Sequence, residues 1–184
     1  MVIGQDICDK IALIHKNELK GKGFFSRCSI KFISFFYKEI SKERSTIIVY
    51  EKNTKDAITG FAFFSTNLEY NIVFFRKNLF RCLLFPSIYL PLASHVFQRL
   101  FNYTKIDYCT ELVQIAVDSS FKGQGVALKL IQLAEKALMD MGINSYFLQV
   151  HNNNLSAIKF YEKNGFIMVK DLKNKKIFKK EISY

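Results

Sequence analysis

Two glycines stand one residue apart directly before a predicted helix, in the stretch FKGQGVALKL at residues 121–130. The first turn of a helix has backbone N–H groups without intrahelical partners, and the helix dipole favours an anion there. At Gly123 and Gly125 no side chain would keep a phosphate away from the backbone. We expect an anion site at this loop, since a tight turn alone would need only one of the two glycines.

The spacing of these glycines excludes two common phosphate-binding loops. The GxxxxGK(S/T) pattern of nucleoside triphosphatases does not occur in the sequence. The dinucleotide-binding pattern GxGxxG also fails, because Leu128 stands where its third glycine belongs. The ligand of the loop is therefore expected to be a phosphate compound of another class.

The elements on either side of the loop must hold it in place. Residues 109–117 (CTELVQIAV) and 145–150 (SYFLQV) are apolar on both faces, which is typical of strands covered on both sides of a sheet. Between them, apolar residues recur at helical spacing from Ala127 to Met141, and Gly142 supplies the left-handed position that ends such helices. Strand, helix and strand in this order predict a parallel pair with a right-handed crossover.

The other elements follow from hydrophobic spacing, cap residues and turn residues. The predicted elements are a helix at 6–19 capped by Asp6, a helix at 29–42, strands at 45–52 and 57–66, a helix within 154–165 capped by Asn154 or Ser156 and closed by Gly165, and a hairpin of 166–172 and 176–183. We expect one domain over residues 1–184, of the α/β (α+β) class.

Two segments in this half of the chain resemble a known superfamily. Residues 122–127 (KGQGVA) are similar to the Q/R-x-x-G-x-G/A motif of the GCN5-related N-acetyltransferases (GNAT), with Lys122 in place of Gln or Arg. Residues 150–166 (VHNNNLSAIKFYEKNGF) match that superfamily's V-x-x-x-N-x-x-A-x-x-(F/L)-Y-x-K-x-G-F segment position for position. The two motifs occur in order, and the resemblance covers about residues 109–170.

The resemblance implies a fold and a co-substrate. In this superfamily a mixed central sheet is flanked by helices, and two parallel strands splay apart so that the pantetheine arm of acetyl-coenzyme A lies between them. The loop before the following helix binds the pyrophosphate, and no metal is needed. The cofactor-binding residues implied for this chain are Ile115, Val117, Lys122, Gly123, Gln124, Gly125, Val126, Ala127, Asn154 and Tyr161.

The resemblance also implies two catalytic roles. Tyr161 occupies the position whose hydroxyl protonates the departing thiolate, a task that suits a phenol with a pKa near 10. Glu111 matches a strand glutamate that deprotonates the amine directly or through water, and it lies six residues, roughly 20 Å, before Val117. Asn154 orients the cofactor, caps its helix, or does both.

Other residues remain alternatives for these roles. Tyr161 could be a core tyrosine, and Glu111 could be exposed at an edge or paired in a salt bridge. His151 is a second candidate base, whereas Gln149, which stands where other members carry an acid, cannot serve as one. Cys109 is a weaker candidate nucleophile, with no evident base beside it.

An atypical segment at about 71–106 lies outside the usual family pattern. It contains no Asp or Glu, five Lys or Arg, six Phe, and both prolines of the chain, Pro86 and Pro91. We expect an irregular, partly helical insert. It could form an acceptor-pocket wall, a homodimer face or a membrane-surface contact, or it could be a core helix flanked by basic residues.

Composition limits the class of partner and the compartment. The formal net charge is +11, but 22 lysines against 5 arginines do not favour a dedicated nucleic-acid binder. No secretory signal is expected at the start, and the apolar run 82–98 is too short to span a membrane. The four separate cysteines indicate buried thiols rather than a disulfide frame or zinc site. We expect a cytoplasmic protein.

These observations predict an acetyl-coenzyme-A-dependent N-acetyltransferase acting by direct transfer on a small-molecule amine. The basic, aromatic insert suits an anionic acceptor such as an amino sugar. The alternatives are a protein acetyltransferase that modifies a lysine or an N-terminus, and a regulatory module that binds acyl-coenzyme A without turnover.

Overall fold

The computed structural model describes residues 2–19, 24–89 and 110–182, in which five α-helices and six β-strands are assigned. In chain order these are α1 (Gln5–Glu18), α2 (Ile30–Ile40), β1 (Thr46–Lys52), β2 (Ile58–Ser65), α3 (Tyr70–Cys82), β3 (Glu111–Val117), α4 (Val126–Asp140), β4 (Ser145–His151), α5 (Leu155–Lys163), β5 (Ile167–Asp171) and β6 (Lys175–Glu181).

The six strands form one mixed sheet in the order β1-β2-β3-β4-β6-β5. The pair β3 and β4 is parallel and is joined through α4, whereas every other neighbouring pair is antiparallel. The predicted fold class, with a parallel strand pair inside a mixed sheet, is therefore confirmed. The parallel pair lies at the centre of the sheet, where helices can cover both faces.

Strand β2 shows how the sheet separates two hydrophobic clusters. Successive side chains of a strand point to opposite faces. Phe61 and Phe63 pack with helices α1 and α2 on one face, while Ala62 and Phe64 pack with α4 and α5 on the other. All eight residues of β2 are buried, so this strand contributes side chains to both clusters.

Cap residues set the start of three helices. Helix α1 begins one residue earlier than predicted, with Gly4 as its N-cap and Asp6 in the first turn, so the prediction that Asp6 caps this helix is wrong. A carboxylate in the first turn still interacts favourably with the helix dipole. Ser29 caps α2 by accepting from the Phe32 amide, and Asn154 caps α5 by accepting from the Ala157 amide.

The part of the insert that the structure describes is partly helical, with non-helical backbone angles at Asn78 inside α3. It contains α3 and a 3₁₀ turn at Pro86–Ile88, while residues 90–106 lie outside the described ranges. In the ranges with coordinates, no helix is both long and apolar enough to cross a membrane. Cys8, Cys28 and Cys82 are buried free thiols, and Cys109 lies outside the described residues.

Candidate active site

The parallel strands β3 and β4 separate soon after they meet. Glu111 pairs with Phe147 and Leu112 with Leu148, and these are the two registered pairs between the strands, although β3 continues to Val117. A β-bulge on the β2 side of β3 lies at the same level: Phe63 pairs with Gln114 and Phe64 with Leu112, leaving Val113 as the extra residue. A bulge bends its strand, which helps β3 to diverge from β4.

A cleft of about 480 Å³ lies at this fork. It is lined by residues of β3 and β4, of the starts of α3 and α5, and of the segments that follow α1 and precede α3. These residues are Leu19, Phe24, Phe25, Leu68, Tyr70, Asn71, Glu111, Leu112, Val113, Gln114, Ile115, Gln149, Val150, His151, Asn154, Ala157 and Tyr161. The cleft brings together four of the residues predicted for the site: Glu111, Ile115, Asn154 and Tyr161. The other predicted residues, Val117 and residues 122–127, lie at the end of β3 and in the loop that follows it.

The glycine loop has an open backbone at the start of α4. Gly123 and Gly125 both have φ of +78°, a left-handed conformation that other residues rarely adopt. The turn itself therefore requires both glycines, and the argument that a tight turn needs only one is wrong. A Cβ built at either glycine would meet no atom within 4 Å, so the space above the loop is open to a ligand.

The first turn of α4 carries the backbone donors that a diphosphate needs. The first helical hydrogen bond runs from the Lys129 amide to the Gly125 carbonyl at 3.1 Å. The amides of residues 126–128 precede it and have no carbonyl four residues earlier in the helix. The open space above the glycines and these amides fit the pyrophosphate of coenzyme A, with the helix dipole adding to the attraction.

Lys122, the residue that departs from the family motif, is anchored to helix α1. Its Nζ donates to Oε2 of Glu18 at 2.5 Å, and the Ser119 amide donates to Oε1 of the same carboxylate at 3.0 Å. Glu18 therefore holds the segment before the glycines against the end of α1. The Lys122 side chain is 59% exposed, whereas the Glu18 side chain is 11% exposed.

Tyr161 lies on α5 at the edge of the cleft. Its ring packs against Phe160, Phe166 and Phe178, which fixes the side chain within the cluster beneath α5. Burial raises the pKa of its hydroxyl to about 12, so the group is protonated at neutral pH. A protonated phenol that lines the cleft can donate a proton to a leaving thiolate.

Glu111 lies where β3 and β4 are still paired, and it belongs to a chain of polar contacts. Oε1 of Glu111 accepts from Nε2 of Gln149 at 2.9 Å, and Oε1 of Gln149 accepts from Nζ of Lys175 at 2.5 Å. All three side chains are half-buried. Glu111 is thus neither an edge residue nor a partner in a direct salt bridge to Lys175, because an amide separates the two charges.

Two polar residues of the cleft come from α3, and sequence reasoning did not single them out. Burial, and secondly the charge of Glu111, raise the pKa of the Tyr70 hydroxyl well above its usual value, which keeps it neutral. Asn71 follows directly, and its Oδ1 is a buried oxygen without a hydrogen-bond partner in the described structure. The signal available in the sequence was weak, since Asn71 is the first residue of the atypical insert and Tyr70 directly precedes it.

A second buried polar chain reaches the cleft from the helix side. The Tyr37 hydroxyl donates to Oε1 of Gln114 at 2.5 Å and contacts Nδ1 of His15 at 2.8 Å. Because the hydroxyl proton goes to Gln114, His15 donates from Nδ1. The sequence signal for Gln114 was a polar residue in a strand otherwise rich in apolar residues.

The two weaker catalytic candidates have different outcomes. His151 lines the cleft, but it lies exposed at the end of β4 and pairs in register with Lys175. Cys109 lies outside the described residues, so its role as a nucleophile stays a prediction. Among the described residues, no cluster of three or more His, Cys, Asp or Glu side chains could hold a metal ion.

A parallel pair that splays apart, followed by a helix that begins after a glycine loop, is the arrangement that the sequence resemblance implied. The family model described as "Acetyltransferase (GNAT) family" matches residues 17–166, and the chain belongs to this family. The two sequence motifs predicted this family. The match begins at residue 17, well before the residues that carry the resemblance.

One curated relative adds information about acceptors in the family. The ribosomal protein bS18-alanine N-acetyltransferase of Haemophilus ducreyi is 37% identical over 71 residues, which are 39% of this chain and 48% of the relative. The chain therefore spans about half the length of the curated relative that it matches.

Solved structures share the fold at low identity. The N-acetyltransferase of Staphylococcus aureus Mu50 aligns with a TM-score of 0.64 at 13% identity, over 100% of this chain and 97% of that chain. The PaiA N-acetyltransferase of Thermoplasma acidophilum, in complex with coenzyme A, aligns at 0.59 and 13%, over 98% and 96%. The ribosomal-protein-S18-alanine N-acetyltransferase of Escherichia coli aligns at 0.56 and 15%, over 100% and 93%.

Proposed function

We propose that this enzyme transfers an acetyl group from acetyl-coenzyme A to the α-amine at the N-terminus of a protein. The observation that carries the proposal is the charge of the cleft. Among the described residues that line it, Glu111 is the one with a formal charge at neutral pH, and none is a lysine or arginine. A carboxylate at the fork, with aromatic side chains beside it, attracts an α-ammonium group followed by an uncharged peptide segment.

This acceptor replaces the small anionic amine predicted from the sequence. That prediction rested on the basic insert, but α3 contributes Tyr70 and Asn71 to the cleft rather than a cation. A carboxylate at the fork would repel an anionic acceptor. The curated relative acts on an alanine of ribosomal protein bS18, which supports a protein acceptor.

Glu111 and Tyr161 would carry the proton transfers at the two ends of the reaction. Acetyl-coenzyme A supplies the acetyl group as a thioester. Glu111 accepts a proton from the acceptor ammonium, directly or through one water, and the neutral nitrogen then bonds to the thioester carbon. As the carbon–sulfur bond breaks, the nitrogen releases its second proton to solvent, and the Tyr161 hydroxyl gives its proton to the sulfur and regains one from solvent. Asn154 holds the start of α5, and so Tyr161, beside the cleft.

A matched pair of peptides tests the acceptor. One peptide begins with alanine and contains an internal lysine, and the other has the same sequence with its α-amine blocked by a formyl group. With acetyl-coenzyme A, we expect free thiol from the first peptide alone, and mass spectrometry should place one acetyl group on its α-nitrogen. Transfer to the blocked peptide would identify a lysine acetyltransferase instead, and transfer to an amino sugar alone would overturn the protein acceptor.

Glu111→Gln tests the base in the same assay. The substitution keeps the shape of the side chain but removes its ability to accept a proton. We expect kcat to fall by about 100-fold, within the usual range for general-base removal, with the affinity for coenzyme A nearly unchanged. An unaffected kcat would remove Glu111 from the mechanism. Binding of acetyl-coenzyme A without thiol release from any amine would favour the regulatory module.

A further inference from the structure

The contact between Glu111 and Gln149 is the start of a hydrogen-bond relay that ends at a lysine. Lys175 donates to Gln149, and Gln149 donates to Glu111, over distances of 2.5 and 2.9 Å. The three residues come from three neighbouring strands, β6, β4 and β3. The relay therefore crosses the sheet at the level where the cleft opens.

The chemistry of its two ends fixes the direction of the relay. An ammonium group can only donate hydrogen bonds, and an ionised carboxylate can only accept them. The amide of Gln149 satisfies both at once, with its oxygen towards Lys175 and its nitrogen towards Glu111. A Gln149 amide turned the other way would place NH₂ against the ammonium and oxygen against the carboxylate. Lys175 thus decides which group Gln149 presents to Glu111.

Gln149 stands one residue beyond the last registered pair of the parallel strands. Leu112 pairs with Leu148, and no later residue of β3 has a partner on β4 in the described sheet. The side chain of Gln149 reaches back to Glu111 from the diverging strand. It can therefore hold the Glu111 carboxylate at the mouth of the fork, where the acceptor amine and the thioester must meet.

We propose that Gln149 and Lys175 are positioning residues that hold Glu111 in its ionised, proton-accepting form. This inference rests on the proposed function, in which Glu111 takes the proton of the acceptor ammonium. Neither residue touches the reacting atoms. The amide donor and the positive charge behind it stabilise the carboxylate at the pH where the reaction runs. Gln149, which cannot itself be a base, acts here through the base on the neighbouring strand.

The other titratable groups that face the cleft set the background of this effect. In the part of the chain that the structure describes, they are Tyr70 from α3, His151 at the end of β4, and Tyr161 from α5. Burial raises the pKa of both tyrosine hydroxyls, so they stay neutral when Glu111 titrates. The charge of Lys175 is therefore the cation that the relay brings to Glu111.

Substitutions at the two relay positions test the proposal in the full-length chain. Lys175→Met removes the charge, Gln149→Met removes the donor at similar size, and Lys175→Arg preserves a cationic donor. Lys179→Met is the control for loss of a lysine on the same face of β6. Lys179 pairs with Glu181 and lies over the Phe147 ring, and no hydrogen bond links it to Gln149 in the described structure. We expect Lys175→Met and Gln149→Met to lower kcat by about 10-fold, with KM for acetyl-coenzyme A within about 2-fold of wild type.

A direct readout on the free enzyme accompanies the kinetics. In ¹³C-carboxyl NMR, the resonance of Glu111 is assigned by its absence from Glu111→Gln, and its titration midpoint is followed in each variant. We expect the midpoint, and the acidic limb of kcat/KM, to move to higher pH in Lys175→Met and Gln149→Met. Lys175→Arg and Lys179→Met should match the wild type.

The outcomes separate this inference from the proposed function. If Glu111→Gln is impaired but Lys175→Met and Gln149→Met behave as Lys179→Met does, the relay has no positioning role and the inference falls alone. If Glu111→Gln retains full activity, the base assignment and the relay fall together. If Gln149→Met does not fold, the comparison of Lys175→Met with Lys175→Arg decides the question.

Discussion

At the scale of single residues, the two proposed proton carriers have opposite environments. Tyr161 is 7% exposed and packs among aromatic rings, so burial favours its neutral form. Glu111 is half-buried and receives a hydrogen bond from an amide that is itself bound to an ammonium group, which favours the ionised form. The pair therefore suits a reaction that removes a proton from an amine and supplies one to a thiolate.

Tyr161→Phe removes the proposed acid and keeps the packing. We expect kcat to fall by about 100-fold, in the range usual for loss of a general acid, while the dissociation constant for coenzyme A changes by less than about 3-fold. Stopped-flow thiol release and calorimetric titration measure the two quantities. Phe160→Leu, a change to the neighbouring ring on α5, is the control and should leave kcat close to that of the wild type. An equal loss in both variants would indicate packing rather than proton transfer.

At the scale of elements, the site depends on how strands and helices end. β3 leaves β4 after two registered pairs, and the bulge at Val113 lies at the same level. Helix α4 begins after a left-handed glycine, and the amides of its first turn have no carbonyl partner within the helix. The loop before it is held by Glu18 at the end of α1. One carboxylate of α1 thus holds the segment before the glycines.

The two glycines that flank α4 offer a matched test of the phosphate loop. Gly125 precedes the helix and Gly142 follows it, with φ of +78° and +73°, and neither has an atom within 4 Å of an added Cβ. Alanine at either position should lower the free energy of unfolding by about 1 kcal/mol, because of backbone strain. We expect only Gly125→Ala to weaken coenzyme A binding, by about 10-fold or more, as its methyl group occupies the space above the amides.

Urea unfolding and calorimetric titration with coenzyme A measure the two effects of these glycine substitutions. Equal affinities in Gly125→Ala and Gly142→Ala would show that the loop glycines serve the turn alone.

At the scale of the whole molecule, the fold rests on two clusters separated by the sheet. The cluster under α1 and α2 is rich in phenylalanine and contains one buried histidine, His15, which is 1% exposed. Burial, and secondly the charge of Lys16, lower the pKa of His15 to about 4. The histidine is therefore neutral in the folded protein at neutral pH. Its Nδ1 contacts Tyr37, which in turn donates to Gln114 at the cleft.

The buried His15 predicts an acid-sensitive fold. Its folded pKa of about 4 lies below the usual 6.5, so the unfolded chain binds more protons between these values. Stability is fully present above pH 6.5 and falls as the pH drops towards 4, by about 3 kcal/mol at most from this group. Urea unfolding at several pH values gives the free energy of unfolding as a function of pH. Between pH 4 and 6.5 this free energy should change less steeply with pH in His15→Gln than in wild type. His151→Gln, at an exposed histidine, should leave the slope unchanged.

Much of this protein could be predicted from continuous segments of its sequence. Helical spacing between two apolar strands indicated the parallel pair, and the motifs at 122–127 and 150–166 indicated the family. These signals are readable because each lies within one loop, one helix or one strand, where residue spacing directly sets geometry. The cytoplasmic location, the homodimer and the single-domain boundary stay predictions.

Only the tertiary structure could show the contacts between residues that are distant in the sequence. Gln149 lies 38 residues after Glu111, Lys175 lies 26 residues after Gln149, and Tyr37 and Gln114 are 77 apart. Sequence spacing carries no information on such pairs, because sheet register and strand order bring them together. The structure also decided the backbone conformation of Gly123. Its positive φ shows that the turn requires a glycine there. The sequence thus determined the family and the proposed acid and base, and the register of three strands decided what surrounds them.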